Sequence, residues 1–308
     1  MHTQPLTSET ICRSVWAVPP LARTADGELD RSSNETLVRH IEAGGLTTLL
    51  YGGNALFYHL TAGEFDAAVT LIEEIAADDT LVIPAIGPTF GLLRDQADRL
   101  KSTAFPAAMI LPSRDIVTSA GIARGVRDAS DRMGKPVVLY IKYGGLLAAD
   151  DVRAMVEDGT VAAIKYAVVL DDPTDDPELA ALCDAVDPQI ILSGMGEQPA
   201  VPHREHFKLG NFTTGCGCLF PSLTTQLQDR MNAGHFDDTT HAMKEAFLPL
   251  ESLRDNHGPI SVLHRAVEHG LTPTGPILPL LSAPDDELDG RIAASLDQVR
   301  SAASAWLS

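Results

Sequence analysis

The chain predicts an α/β fold: a (β/α)8 TIM barrel with a C-terminal helical extension. Three observations predict it. Short apolar runs of strand length alternate with longer segments of helical period through the first two thirds of the 308 residues. There are eight such runs, the number that closes a barrel, and strand–helix alternation implies parallel strands joined by right-handed crossovers. Beyond Phe220 the strand-like runs stop and only helical patterns remain.

In order, the runs are SVWAV (14–18), LTTLLY (46–51), LVIPAI (81–86), AAMILP (107–112), VVLYI (137–141), VAAIKY (161–166), QIILS (189–193) and NFTTG (211–215). Their length and apolar character read as strands. The segments between them carry helix signals. RDQADRLKS follows the third run, and RDIVTSAGIARGVRDASDRMG follows the fourth and closes on Gly134, a C-cap glycine. A doubly wound open sheet shares this alternation. However, the turn after the first run reads VPPLARTADGE and lacks the glycine-rich fingerprint such sheets place there. Of the helical segments after Phe220, one completes the barrel and the others form the extension. The expected division is therefore a barrel over 1–225 and an extension over 226–308, packed as one unit because no flexible linker composition separates them.

Composition narrows the function. With 44% hydrophobic and 21% charged residues the chain reads as an ordinary globular protein. Its 42 acidic against 23 basic residues give a net charge of −19, which disfavours nucleic acid and anionic lipid as partners. Any anionic substrate must then be held by a local positive patch. The N-terminus MHTQPLTSET lacks the basic-then-apolar pattern of a signal peptide, and no apolar run approaches the ~20 residues that span a bilayer. A cytoplasmic protein is expected. Of Cys12, Cys183, Cys216 and Cys218 only the last two are close, as CGC, without the second Cys/His pair of a zinc site. The histidine cluster PHREH (202–206) falls in a helix-start loop rather than at a strand end. Neither a metal nor another cofactor is expected.

One residue breaks the apolar pattern: Lys165, within TVAAIKYAVV (160–169). Burying an unpaired ammonium costs several kcal/mol. Two readings explain it. Either the stem packs on apolar surface and the amine reaches water, or desolvation lowers the amine's pKa and leaves it nucleophilic. A barrel gives the second reading a place, because its chemistry sits at the C-terminal strand ends. Lys165 lies near the end of the sixth run, and period-two alternation puts the small Ala163 on the same face. Tyr140 lies near the end of the fifth run, one strand away at about 4.8 Å. Its phenol is a proton shuttle for carbinolamine chemistry or else a core aromatic. Lys142, two residues on, shares that face, as a rim lysine or as a like charge that holds Lys165 neutral. After the second run, LLYGGNALF brings Gly53 and Asn54, whose amides form a carboxylate nest or simply a turn.

Several segments, in order and spacing over nearly the whole chain, resemble the dihydrodipicolinate synthase / N-acetylneuraminate lyase superfamily of Schiff-base barrels. They are Val138-Leu139-Tyr140, Ile164-Lys165, LSG at 192–194, the opening SVWAVPPLARTADGELD (14–30) and the late GPISVLHRAVEHGLTPTGPILPLLS (258–282). The resemblance implies Lys165 as the Schiff-base lysine and Tyr140 as the catalytic tyrosine. It puts Gly53 and Asn54 where the family has paired threonines for the carboxylate of a 2-oxo acid, and Gly194 and Thr214 at strand ends lining the same pocket. It also implies a small-molecule 2-oxo acid as partner and a homo-oligomer, dimer or tetramer.

The departures bear on substrate. The family's Gly-Thr-Thr-Gly-Glu reads Gly52-Gly53-Asn54-Ala55-Leu56, so both threonine hydroxyls are gone. The synthase's arginine beyond the tyrosine is missing from IKYGG, and its neighbour-subunit tyrosine falls near Ser113 and Arg114. Arg114 becomes an outer substrate contact if its loop turns inward. The expected function is a lyase, aldolase or dehydratase, forming a lysine Schiff base with a keto-deoxy sugar acid or related 2-oxo acid. The alternatives are the synthase proper and a barrel that binds an oxo acid as a sensor without turnover.

Overall fold

Each of the eight apolar runs supplies a parallel strand in the computed structural model, which describes residues 1–306. The strands are β1 (Trp16–Ala17), β2 (Thr48–Tyr51), β3 (Leu81–Ile86), β4 (Ala108–Ile110), β5 (Val137–Ile141), β6 (Val161–Tyr166), β7 (Ile191–Ser193) and β8 (Asn211–Thr214). They pair in sequence order, and β8 returns to β1 with Trp16 opposite Thr213, closing the barrel. Every residue of β2, β3 and β5 is buried, as strands packed between a filled interior and a ring of helices must be. Some runs overshoot their strands. AAMILP narrows to Ala108–Ile110, and its Pro112 has no N–H to offer a ladder.

A short helix α1 (Ser8–Cys12) precedes the barrel. Then α2 (Arg31–Ala43), α3 (Ala62–Ile75), α4 (Phe90–Leu100), α5 (Ser119–Met133), α6 (Ala149–Glu157), α7 (Pro177–Ala185), α8 (Glu197–Phe207) and α9 (Pro221–Asn232) follow the strands in turn. Local sequence sets their ends. For α5, the Thr118 hydroxyl accepts the Gly121 N–H at the start, and Gly134 closes it at φ 65°, a conformation L side chains rarely adopt. Helix α9 packs against α2 and α8 and completes the ring. It runs to Asn232, so the barrel's last helix extends past residue 225.

The extension consists of α10 (Asp238–Glu245), α11 (Leu248–His257), α12 (Pro259–Gly270) and α13 (Asp286–Ser304). Leu250 and Leu253 of α11 and Val262 and Leu263 of α12 belong to the same buried cluster as the barrel strands. The break between α11 and α12 falls at Gly258, with φ 103°, followed by Pro259 at a helix N-terminus. His264 of α12 donates Nε2–H to the Asn54 carbonyl at 2.8 Å, tying the extension to the loop after β2. Among the described residues no helix is long and apolar enough to cross a membrane.

Candidate active site

The site begins with a register shift. β5 pairs with β6 through Val137 opposite Val161 and then Val138 opposite Ala163, so one residue of β6 is skipped. Without that bulge Tyr140 would face Ile164. With it Tyr140 is the direct partner of Lys165, and the two side chains share one side of the sheet. The Lys165 amine then lies over the Tyr140 ring, 4.8 Å from its centroid.

Gly194, at the end of β7, makes room for the lysine stem. A Cβ there would sit 2.7 Å from Ala167 Cβ and 3.0 Å from Lys165 Cγ. Lys165 is only 7% exposed. Burial, then the charges of Lys142 and Arg254, bring its pKa down to about 7. Near neutral pH a large share of this amine therefore holds a free lone pair. Tyr140 is driven the other way: burial first, then Tyr58 and Tyr143, raise its phenol above the ordinary value. It stays protonated beside the amine.

These groups line a cavity of about 220 Å³ at the C-terminal mouth of the barrel, which takes in Gly53, Asn54, Tyr140, Lys142, Lys165 and Gly194. Asn54 is held in place by its neighbours. Its side-chain amide donates to the Val18 carbonyl at 2.8 Å, and its own carbonyl is the one bonded by His264. Among the described residues the Gly53 and Asn54 N–H groups have no acceptor, and a Cβ on Gly53 would meet nothing within 4 Å.

Two expected residues lie elsewhere. Thr214 turns away from the cavity: its hydroxyl donates to Glu197 Oε1 at 2.5 Å and accepts the Gly217 N–H at 2.7 Å. Strand alternation gives the pocket face to Thr213 instead. Arg114 sits exposed on the loop after β4, 4.8 Å from the Tyr143 ring and 3.7 Å from Asp115. That loop does not turn inward.

Behind the cavity wall lies a pair of carboxyl groups that sequence reading missed. Glu197 is fully buried and Glu251 nearly so. The Glu197 N–H donates to Glu251 Oε1 at 2.9 Å, and the Thr214 and Thr224 hydroxyls both bond Glu197 Oε1. Burial, then the neighbouring Glu197 charge, hold Glu251 well above the carboxylate range. That direction favours the protonated form of Glu251. Their hydrogen bond joins the start of α8 to α11.

Tyr58, Thr213 and Arg254 also line the cavity. No periodicity marked Tyr58, in the short turn after β2, or Arg254, because α11 approaches the barrel mouth only in the fold. A larger cavity of about 740 Å³ lies on the other side of Tyr140 but excludes Lys165. Among the described residues no group of three or more His, Cys, Asp or Glu is placed to hold a metal. His203, from PHREH, is buried with Nδ1 2.9 Å from Ser193 Oγ.

No protein-family model and no curated protein sequence matches the chain. Solved structures do. The dihydrodipicolinate synthase of Bacillus clausii superposes with a TM-score of 0.84 at 20% identity, covering 96% of this chain and 100% of that one. The dihydrodipicolinate synthase of Agrobacterium tumefaciens C58 gives 0.83 at 16% identity, over 95% and 100% of the two chains. A prophage protein of the dihydrodipicolinic acid synthase family from E. coli K12, solved with pyruvate, gives 0.77 at 18% identity, over 93% and 98%. The chain thus has the fold of dihydrodipicolinate synthase family structures along nearly its whole length, and these neighbours come from the superfamily that its motifs resemble.

Proposed function

We propose that the chain is a class I lyase whose Lys165 forms a Schiff base with a 2-oxo acid, a keto-deoxy sugar acid or related compound. The observation that carries this is the Lys165 amine: buried, with a pKa near 7, directly over the Tyr140 ring in a cavity at the barrel mouth. The fold shared with lyase-family structures supports the reaction class.

The chemistry follows from the groups in place. The Gly53 and Asn54 amides receive the C1 carboxylate. The Lys165 lone pair attacks C2 as the carbonyl π electrons move to oxygen, which takes a proton from Tyr140. The Tyr140 phenolate takes the excess proton from nitrogen and delivers it to the carbinolamine hydroxyl, which leaves as water to give an iminium. That cation is an electron sink. If C4 bears a hydroxyl, removal of the hydroxyl proton lets the C3–C4 bond break to an aldehyde and an enamine. Alternatively C3 loses a proton and C4 then loses its hydroxyl as water. After cleavage the enamine takes a proton at C3 to become an iminium again, and addition of water to the iminium in either branch releases the product and returns the lysine.

Borohydride reduction in the presence of a panel of pyruvate and keto-deoxy sugar acids, followed by peptide mass spectrometry, tests this. An irreversible adduct at Lys165, absent from Lys165→Ala, is the expected result, and Tyr140→Phe should slow turnover by the ~10²–10⁴-fold of a lost acid/base group. An adduct on another lysine, or none with an acid that binds, overturns the reading.

A further inference from the structure

Arg254 is the unusual charge in this molecule. It lies in the last turn of α11, ahead of the break at Gly258, and its partly buried guanidinium lines the cavity. Nε donates to the Pro259 carbonyl at 3.2 Å, and Nη1 lies 3.9 Å from Cys216 Sγ. Among the described residues it makes no ion pair, although Asp255 lines the same cavity. The contrast is Arg23, more deeply buried, which has Glu64 at 2.9 Å and the Gly27 carbonyl at 2.6 Å. Burial lowers the Arg254 pKa, but Cys216, then Glu251 and Glu197 behind the cavity wall, raise it on balance. None of them is within ion-pair distance, and a partly buried guanidinium without a direct carboxylate partner is costly. A chain with 42 acidic residues does not lack partners for it.

The fold also clears space for this side chain. Gly215 follows β8 directly, and a Cβ there would lie 2.7 Å from Arg254 Cζ and Nη2. Its φ of −93° suits any residue, so the glycine serves space rather than conformation.

Position around the ring tells which end of a ligand the guanidinium meets. The Gly53–Asn54 nest follows β2, and Lys165 sits on β6, on the far side of an eight-stranded ring closed in sequence order. Arg254 stands over the end of β8, beside Gly215. For an acid with its C1 carboxylate in the nest and its C2 at Lys165, Gly194, Gly215 and Arg254 line part of the cavity left for the remaining carbons. The volume of about 220 Å³ falls below the ~300–1,000 Å³ of common ligand pockets, so that remainder is short. A planar guanidinium with free N–H groups matches a carboxylate in a two-pronged hydrogen bond.

We propose that Arg254 receives a second carboxylate at the far end of the substrate, which makes the preferred ligand a compact 2-oxo diacid. The covalent step rests on the Schiff-base reading above, whereas the binding preference does not.

The test compares 2-oxoglutarate with 2-oxopentanoate, acids of equal chain length that differ in the terminal carboxylate. Calorimetry measures equilibrium binding to the parent protein, Arg254→Met, Arg254→Lys and Gly215→Ala. Borohydride trapping at Lys165, at alkaline pH where the amine is neutral in every variant, reads the covalent step separately. The parent should bind the diacid about 10- to 100-fold more tightly than the monoacid, the worth of a charge-assisted contact. Arg254→Met should erase that difference while keeping monoacid binding, Arg254→Lys should restore part of it, and Gly215→Ala should weaken it with the arginine still present. Equal binding of the two acids by the parent, binding of neither, or a preference that survives in Arg254→Met overturns the proposal. A preference lost in Arg254→Met but accompanied by no adduct at Lys165 upholds it and overturns the Schiff-base reading instead.

Discussion

Burial, and after it the charge on Lys142, set the working pH of Lys165. The reactive amine must be neutral to attack a carbonyl, so imine formation should rise as pH increases through its pKa of about 7. After burial, the Lys142 charge is the largest influence holding that value down. Removing it in Lys142→Met makes the protonated lysine easier to keep, so the midpoint of the imine-formation profile should move to higher pH. Stopped-flow imine formation across a pH series checks this, and a profile matching the parent's would take Lys142 out of the mechanism. The same depressed pKa opposes stability. Below about pH 7 the amine is charged in both states and its full burial cost stands. Between there and the unfolded value near ~10.4 the folded chain has released the proton, so stability climbs with pH. An apolar side chain at this position would suit the barrel better, which is why a lysine there points to chemistry rather than packing.

At the scale of elements, α8 meets α11 at Glu251, which accepts the Glu197 N–H and whose own protonation responds to the buried charge beside it. Its folded pKa is raised, so the stability it contributes is complete below the ordinary carboxyl value and is lost as pH rises through the folded one. Glu251→Gln keeps an acceptor for the Glu197 N–H and supplies a permanent donor to Glu197. The Gln variant should therefore lose less melting temperature than the parent as pH is raised, and identical pH slopes would show that Glu251 is already ionised. Nothing in the sequence announced this pair, because residues 197 and 251 meet only when the extension closes over the barrel. The bulge in β6 was equally hidden: VAAIKY reads as a plain strand, and only its ladder with β5 shows the skipped residue that aligns Tyr140 with Lys165.

At the scale of the whole molecule, the surface beside Tyr140 is apolar where a surface is normally polar. Ile116 is 91% exposed, and with the exposed Phe90 and Val117 it borders the cavity of about 740 Å³. Exposed apolar groups gathered at one opening favour association, in line with the dimer or tetramer that the family resemblance implies. Light scattering should give a mass of two or four chains, with Ile116→Asp shifted toward the monomer. A parent protein that stays monomeric at the concentrations used for assay would set this expectation aside.

Local sequence alone determined the order of elements, the eight strands and the glycine that ends α5, while the family resemblance singled out Lys165 and Tyr140. The first three are written in nearest neighbours, as apolar runs of strand length and a glycine at Gly134; the ammonium and the phenol at strand ends needed the resemblance to acquire roles. What only the tertiary structure decided is which distant residues complete the cavity. The segment after Tyr140 carries no arginine, yet the fold supplies one from α11, because the break at Gly258 sets the last turn of that helix over the barrel mouth. Thr213 took the inward face in place of Thr214, since a one-residue change of face in a strand leaves its composition untouched. Arg114 stayed outside because the path of a loop depends on what it packs against. Periodicity records which residues leave water; it does not record which of them meet.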